Sequence, residues 1–224
     1  MPGACARFIR TTAACAALVL CGSLVSADKW RAATMTETFS ANRDWFVRVT
    51  PGKSLGDTFG FDGAPKGPFA GAEWFRRDAE ASYRVVARAT LANPVAPADT
   101  LVTDHGYLVT LDNWHNMGYG AIVAAYGPDG SQVIALRLTD LYTRREIETF
   151  EMSVSSIWWR SESAEPYVRA GQRSIYVPGR KPGDELLLEP ESGTWQICQP
   201  RGGSQQCRTT NEPRTWGSYR EPER

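Results

Sequence analysis

Histidine and cysteine are scarce in this chain. There are only two histidines, His105 and His115, and five cysteines, of which Cys5, Cys15 and Cys21 fall at the extreme N-terminus. That leaves Cys198 and Cys207 for the body of the protein, too few for a tetrahedral zinc site, which wants four ligands. The histidines, each with an aspartate nearby (Asp104 and Asp112), stand at opposite ends of one strand-like run, Tyr107–Leu111. At about 3.3 Å per residue that run holds the two groups apart, and no metal site is expected. Also missing are a Gly-rich phosphate loop, a Cys-x-x-Cys pair and a His-Glu-x-x-His helix, so no cofactor is expected. Ser153-Val154-Ser155-Ser156 lacks the Gly-x-Ser-x-Gly frame of a nucleophile elbow. Among the 25 acidic residues nothing marks the close pair that glycoside hydrolysis needs. Net charge is absent as well: 25 basic residues balance 25 acidic ones. Without a concentrated basic face, nucleic acid is not an expected partner.

Long apolar runs are missing except at the start. Arg7 and Arg10 precede an apolar stretch from Ala13 to Val25, which ends in Val25-Ser26-Ala27 before charge resumes at Asp28-Lys29. A positive region, a short apolar core and a small-x-small boundary make a secretory signal peptide over residues 1–27. The apolar run is well short of the ~20 residues that span a bilayer. A lipid anchor at Cys21 is the alternative, although Leu20 stands where that signal wants a small residue. The expectation is an exported protein, periplasmic or secreted, with no transmembrane segment once the signal is gone. In that compartment Cys198 and Cys207 are expected to form a disulfide.

What the chain does have is strand periodicity. Trp45–Val49, Tyr107–Leu111, Ala121–Tyr126 and Gln132–Leu138 are short, β-branched and aromatic. Gly127-Pro128-Asp129-Gly130 between the last two is a hairpin turn. Leu186–Leu188 and Thr194–Ile197 flank a second turn at 189–193. Residues 77–88 fit either a helix or a hairpin, and Asp140–Phe150 fits one or two helical turns with Thr139 as cap. The expected fold class is all-β, with a linker at 28–39, one β domain over 40–198, and a largely disordered tail over 199–224 tethered by the disulfide.

A weak internal repeat organises these strands. Asn42–Val49 lies over Asp104–Leu111, each a polar turn feeding an aromatic-led strand, and each is followed by a loop and a hairpin, at 72–90 and 121–138. A more degenerate third unit runs from Ser155 to Ile197. The pattern resembles β-propeller blades. Three blades do not close a ring, which implies either an open propeller or irregular sandwich in one chain, or two chains completing one ring as a homodimer. The stretch Tyr107–Tyr126, with Asp112-Asn113-Trp114-His115 and Gly118-Tyr119-Gly120 inside it, also resembles a group of uncharacterised exported bacterial proteins. That likeness implies no activity and carries over no catalytic residue.

The loop after Leu111 is the chemically richest segment. Asp112, Asn113, Trp114, His115 and Tyr119 combine hydrogen-bonding groups with aromatic faces, which suits stacking on a sugar-like ligand. The same residues serve equally as a self-satisfied loop whose Asx side chains cap backbone N–H groups. Of the adjacent Trp158 and Trp159, strand alternation buries one and turns the other outward, and both are candidates to join the loop. The reading is a non-enzymatic binding or structural module of the cell envelope, taking a carbohydrate or a protein. The alternative is a hydrolase of an envelope or extracellular polymer, with Asp112 or His115 in its site. Under that alternative Asp112, His115 and another acid converge in a deep pocket; a binder shows a shallow aromatic surface.

Overall fold

The computed structural model describes residues 32–54, 66–169, 171 and 173–209. The expected signal peptide, its expected boundary at Ala27 and Cys21 lie outside the described residues. Nearly all regular structure here is antiparallel strand, in four sheets whose strands follow chain order. The first meander holds β1 (Thr36–Phe39), β2 (Trp45–Thr50), β3 (Gly71–Arg77) and β4 (Tyr83–Thr90). The second holds β5 (Pro97–Val102), β6 (Leu108–Asn113), β7 (Val123–Tyr126) and β8 (Gln132–Leu136). Two helical turns follow, α1 (Leu138–Leu141) and α2 (Arg144–Ile147), then a two-stranded pair, β9 (Glu151–Met152) with β10 (Ile157–Trp158). The third meander holds β11 (Tyr167–Val168), β12 (Ile175–Pro178), β13 (Glu185–Glu189), β14 (Thr194–Arg201) and β15 (Ser204–Arg208).

Side-chain pattern explains the layering. β13 alternates buried and half-buried residues, the signature of a sheet with one core face. β6 and β7 are buried at every position, so the second meander is covered on both faces. Val109, Leu111, Val123 and Ala125 pack with Ile175, Val177, Leu186, Leu188 and Ile197 of the third meander. On the other face Leu108, Ala124 and Tyr126 pack with Val47, Val49, Ala72 and Trp74 of the first. Polar ties cross the same boundary: the Trp74 Nε1–H donates to the Gly106 carbonyl at 3.0 Å, and the Tyr126 hydroxyl accepts from the Ala92 N–H at 2.6 Å.

Several boundaries differ from the sequence expectation. The expected linker ends in a strand, because the alternating Thr36-Glu37-Thr38-Phe39 pairs with β2 and sets Phe39 against Phe46 with ring centroids 4.9 Å apart. The region after Gln199 is not a loose tail as far as Arg208. β14 runs on through Pro200 and pairs with β15, and Cys198 and Cys207 are bonded directly across that register. The third unit starts later than Ser155: 151–158 forms its own small pair, and the third sheet spans Tyr167–Arg208. Residues 77–88 are a hairpin, turned by the Asp78 carboxylate accepting from the N–H groups of Glu80 and Ser82. The helical cap is Thr143, not Thr139, which sits inside α1. Thr143 Oγ1 accepts from Glu146 N–H, and Glu146 Oε2 accepts from Thr143 N–H at 2.7 Å. No helix among the described residues is long and apolar enough to cross a membrane.

Candidate functional site

The loop 112–120 starts from an unusual backbone. Asp112 and His115 hold φ of +54° and +68°, a left-handed conformation uncommon outside glycine. Asp112 is fully buried, and each of its polar atoms has a partner. Its Oδ1 accepts from Trp159 Nε1 at 2.7 Å and from the Gly118 N–H at 3.0 Å; its Oδ2 accepts from Arg160 Nε at 2.7 Å. The backbone N–H donates to Ile122 and the carbonyl accepts from Asn93 Nδ2. Asn113 is equally committed: Nδ2 donates to the Tyr119 carbonyl at 2.7 Å, and Oδ1 accepts from Asn93 at 2.8 Å. Segment 157–160 docks on this loop, with the Ile157 N–H donating to the Met117 carbonyl. Gly118 is required there, since its φ is +80° and a Cβ would lie 2.6 Å from the Ile157 carbonyl oxygen.

Arg160 ties this buried loop to the surface. Its guanidinium bonds Asp112 on one side and the half-exposed Asp99 of β5 on the other. Burial pushes the Asp112 carboxyl up from its usual range, while Arg160, Trp159 and the Gly118 N–H pull the other way. Arg160 is itself held above its ordinary value, burial being outweighed by the two carboxylates. Burial also holds the His115 imidazole below its usual value, which favours the neutral ring.

The structure thus brings Asp112, Asn113 and Trp159 together in the interior. Trp159 is sealed against Tyr142 and the core, and Trp158 is the partly exposed one of the pair. Trp114 and His115 are half-buried and meet edge to face at 3.8 Å, and Tyr119 packs on the core. Sequence reasoning missed Arg160, Asp99 and Asn93. Nothing local flags them, since their partners lie 48, 61 and 19 residues away.

Next to Arg160 lies a shallow recess of about 300 Å³. Trp158, Arg160, Arg180, Glu151, Ser161 and Glu162 line it. Arg160 forms an isolated bridge with Gly179, and Ser161 Oγ accepts from the Ala164 N–H at 3.0 Å. Arg180 is ion-paired with Glu151 and donates to the Trp158 carbonyl. Both arginines are therefore neutralised by carboxylates already present. A second depression of about 490 Å³ borders Tyr167, Asp184 and Glu185. There Tyr167 stacks on Tyr176 at 5.1 Å, with Arg169 above Tyr176 at 4.4 Å. Among the described residues no group of three or more His, Cys, Asp or Glu side chains is placed to hold a metal ion. Compared with known proteins, the chain matches no family model and no curated protein.

Proposed function

We propose that this protein is an exported, non-enzymatic binding module of the cell envelope, built from blade-like meanders as in an open propeller. It takes a carbohydrate in the recess beside Trp158. The observation that carries this reading is the complete engagement of Asp112. The strongest acid candidate for hydrolysis is sealed and bonded to Arg160, Trp159 and Gly118, so it supports the walls of the recess and does not reach a substrate. What remains reachable is the partly exposed Trp158, the Arg180 guanidinium and serine hydroxyls, the mixture that stacks on and hydrogen-bonds a polyol. Charge favours a neutral ligand: an anion would have to break the Arg160 or Arg180 ion pairs, whereas a neutral sugar leaves them intact. Export rests on the Arg7, Arg10 and Val25-Ser26-Ala27 pattern together with the Cys198–Cys207 disulfide.

The test is calorimetric titration with neutral oligomers of glucose and of N-acetylglucosamine, beside an oligomer of a uronic acid. Binding of a neutral oligomer, lost in Trp158→Ala at unchanged melting temperature, supports the assignment. Release of reducing ends from any oligomer, or binding unaltered by Trp158→Ala, overturns it.

A further inference from the structure

The sulfur bridge of the third meander lies beside the depression at Tyr167. Strand register sets Pro178 opposite Glu185, Glu185 opposite Cys198, and Cys198 opposite Cys207. Leu186 and Ile197, the next residues along, face the core. Strand alternation therefore turns the row from Pro178 to Cys207 outward. Pro178 and Glu185 also line the depression of about 490 Å³, and so do Gly203, Ser204 and Gln205, where the β14–β15 turn enters β15. The start of β15 is thus part of the wall of that recess.

Little besides the bridge holds β15 in place. Ser204, Gln205, Gln206 and Cys207 are exposed and Arg208 is half-buried. None of the five packs in a core cluster. β15 is an edge strand, hydrogen-bonded only to β14. Opposite Gln205 stands Pro200, which brings no N–H to the ladder. Backbone pairs that lie in solvent and bury no side chains open at small cost. At the far end one ion pair ties Arg208 to Glu146 of α2 at 2.7 Å, with the two side chains 32 % and 34 % exposed. An ion pair that open to water adds little.

We propose that Cys198–Cys207 is a thiol-sensitive latch. Closed, it keeps β15 as a wall of the Tyr167 recess; opened by a dithiol reductant, it releases β15 and removes that wall. Cys207 is exposed and Cys198 is buried, so the thiolate of the reductant attacks Cys207 Sγ. A mixed disulfide forms there, the protein's S–S bond breaks, and Cys198 leaves as a thiolate that takes a proton from water. The second thiol of the reductant then attacks its own sulfur in the mixed disulfide and frees Cys207 as a thiol. Two electrons pass to the protein, and the reductant ends as a disulfide. The core survives the opening, because Leu186, Leu188, Trp195 and Ile197 stay paired between β13 and β14. The bridge spans a sequence separation of only 9, so it joins no distant element to the sheet.

The experiment compares the full chain oxidised, reduced with dithiothreitol in the absence of denaturant, and reoxidised. Thiol alkylation counts opened bridges, hydrogen exchange reads the amides of 204–208, 185–188 and 108–111, and hydroxyl-radical labelling reads Tyr167. The expected result is complete reduction of the folded chain. Exchange at 204–208 then quickens by at least about tenfold, and Tyr167 is labelled more heavily. The other two segments do not change, and reoxidation restores the starting state. Cys198→Ser combined with Cys207→Ser should reproduce the reduced form without any reductant. A bridge that yields only after denaturant has unfolded the chain overturns the proposal. So does a reduced chain that keeps 204–208 protected or Tyr167 labelling unchanged. Loss of protection at 185–188 or 108–111 on reduction overturns it too, since the bridge would then be a staple for the whole fold.

Discussion

Asp112 combines a left-handed backbone with a fully buried carboxylate, and both features are held by partners from distant segments. Removing one member of a buried, hydrogen-bonded ion pair strands the other, at a cost of about 3–5 kcal/mol. Asp112→Ala is therefore expected to lower the urea unfolding midpoint strongly. Asp112→Ala combined with Arg160→Met should lose less than the single variant, because no guanidinium is then left half-paired. Equal loss in single and double variants would show that Arg160 is satisfied by Asp99 alone. Gly118→Ala belongs to the same scale: a strained φ and a Cβ 2.6 Å from a carbonyl oxygen predict a loss of about 2–3 kcal/mol, read by the same unfolding curve. The Asx-rich spelling of 112–116 made a self-satisfied loop legible in the sequence, since Asp and Asn bond nearby backbone groups. The ion pair to Arg160 was not legible, because a pairing across 48 residues leaves no mark on either side of the chain.

Among the elements, α2 and β15 are joined by one charged side chain. Burial works to raise the Glu146 carboxyl, but hydrogen bonds from Thr143 and the Arg208 guanidinium at 2.7 Å win and hold it below its usual range. A carboxyl depressed in the folded state adds stability above its unfolded value, and that stability disappears as pH falls through the folded value. Glu146→Gln should thus destabilise the protein at neutral pH, with the difference from the natural chain shrinking in acid. Parallel urea melts at both pH values check the sign. At the far side of β15, the disulfide closes a hairpin with a sequence separation of 9. It stabilises by at most ~3 kcal/mol on loop-closure grounds. Reduction is expected to expose the amides of 204–208 to hydrogen exchange while leaving those of 108–111 protected. The hairpin itself was hard to see in the sequence: Pro200 and the run Arg201-Gly202-Gly203-Ser204 spell a loose tail, and only the pairing of Cys198 with Cys207 overrides them. Helix and hairpin remained equivalent at 77–88 for a related reason, since Asp78 caps a turn as readily as a helix.

Across the whole molecule, the all-β character and the hairpins at 121–138 and 186–197 were legible because each strand pairs with its sequence neighbours and leaves a local pattern, whereas β1, β5, β11 and β15 were not. How the meanders stack was not legible, although the apolar-rich runs at 108–111 and 121–126 carried a hint: a strand with two buried faces shows little polar alternation. The second meander is the one covered on both sides, and its amides at Val109, Leu111 and Val123 are expected to exchange only through global unfolding, while those of β1 and β15 exchange by local opening. Native-state hydrogen exchange across a denaturant series separates the two classes. The same double burial also sets an order in time. During synthesis the first and second meanders can close on each other once the chain has emerged past β8, yet the opposite face of the second lacks its covering sheet until Ile175–Ile197 is made. Throughout that interval Val109, Leu111, Val123 and Ala125 can be covered only by Leu138, Leu141, Tyr142, Ile157 and Trp159 from the intervening segment. The half-made chain is therefore the form of this protein that most needs a chaperone, and a ribosome stalled before residue 175 would hold its most aggregation-prone state.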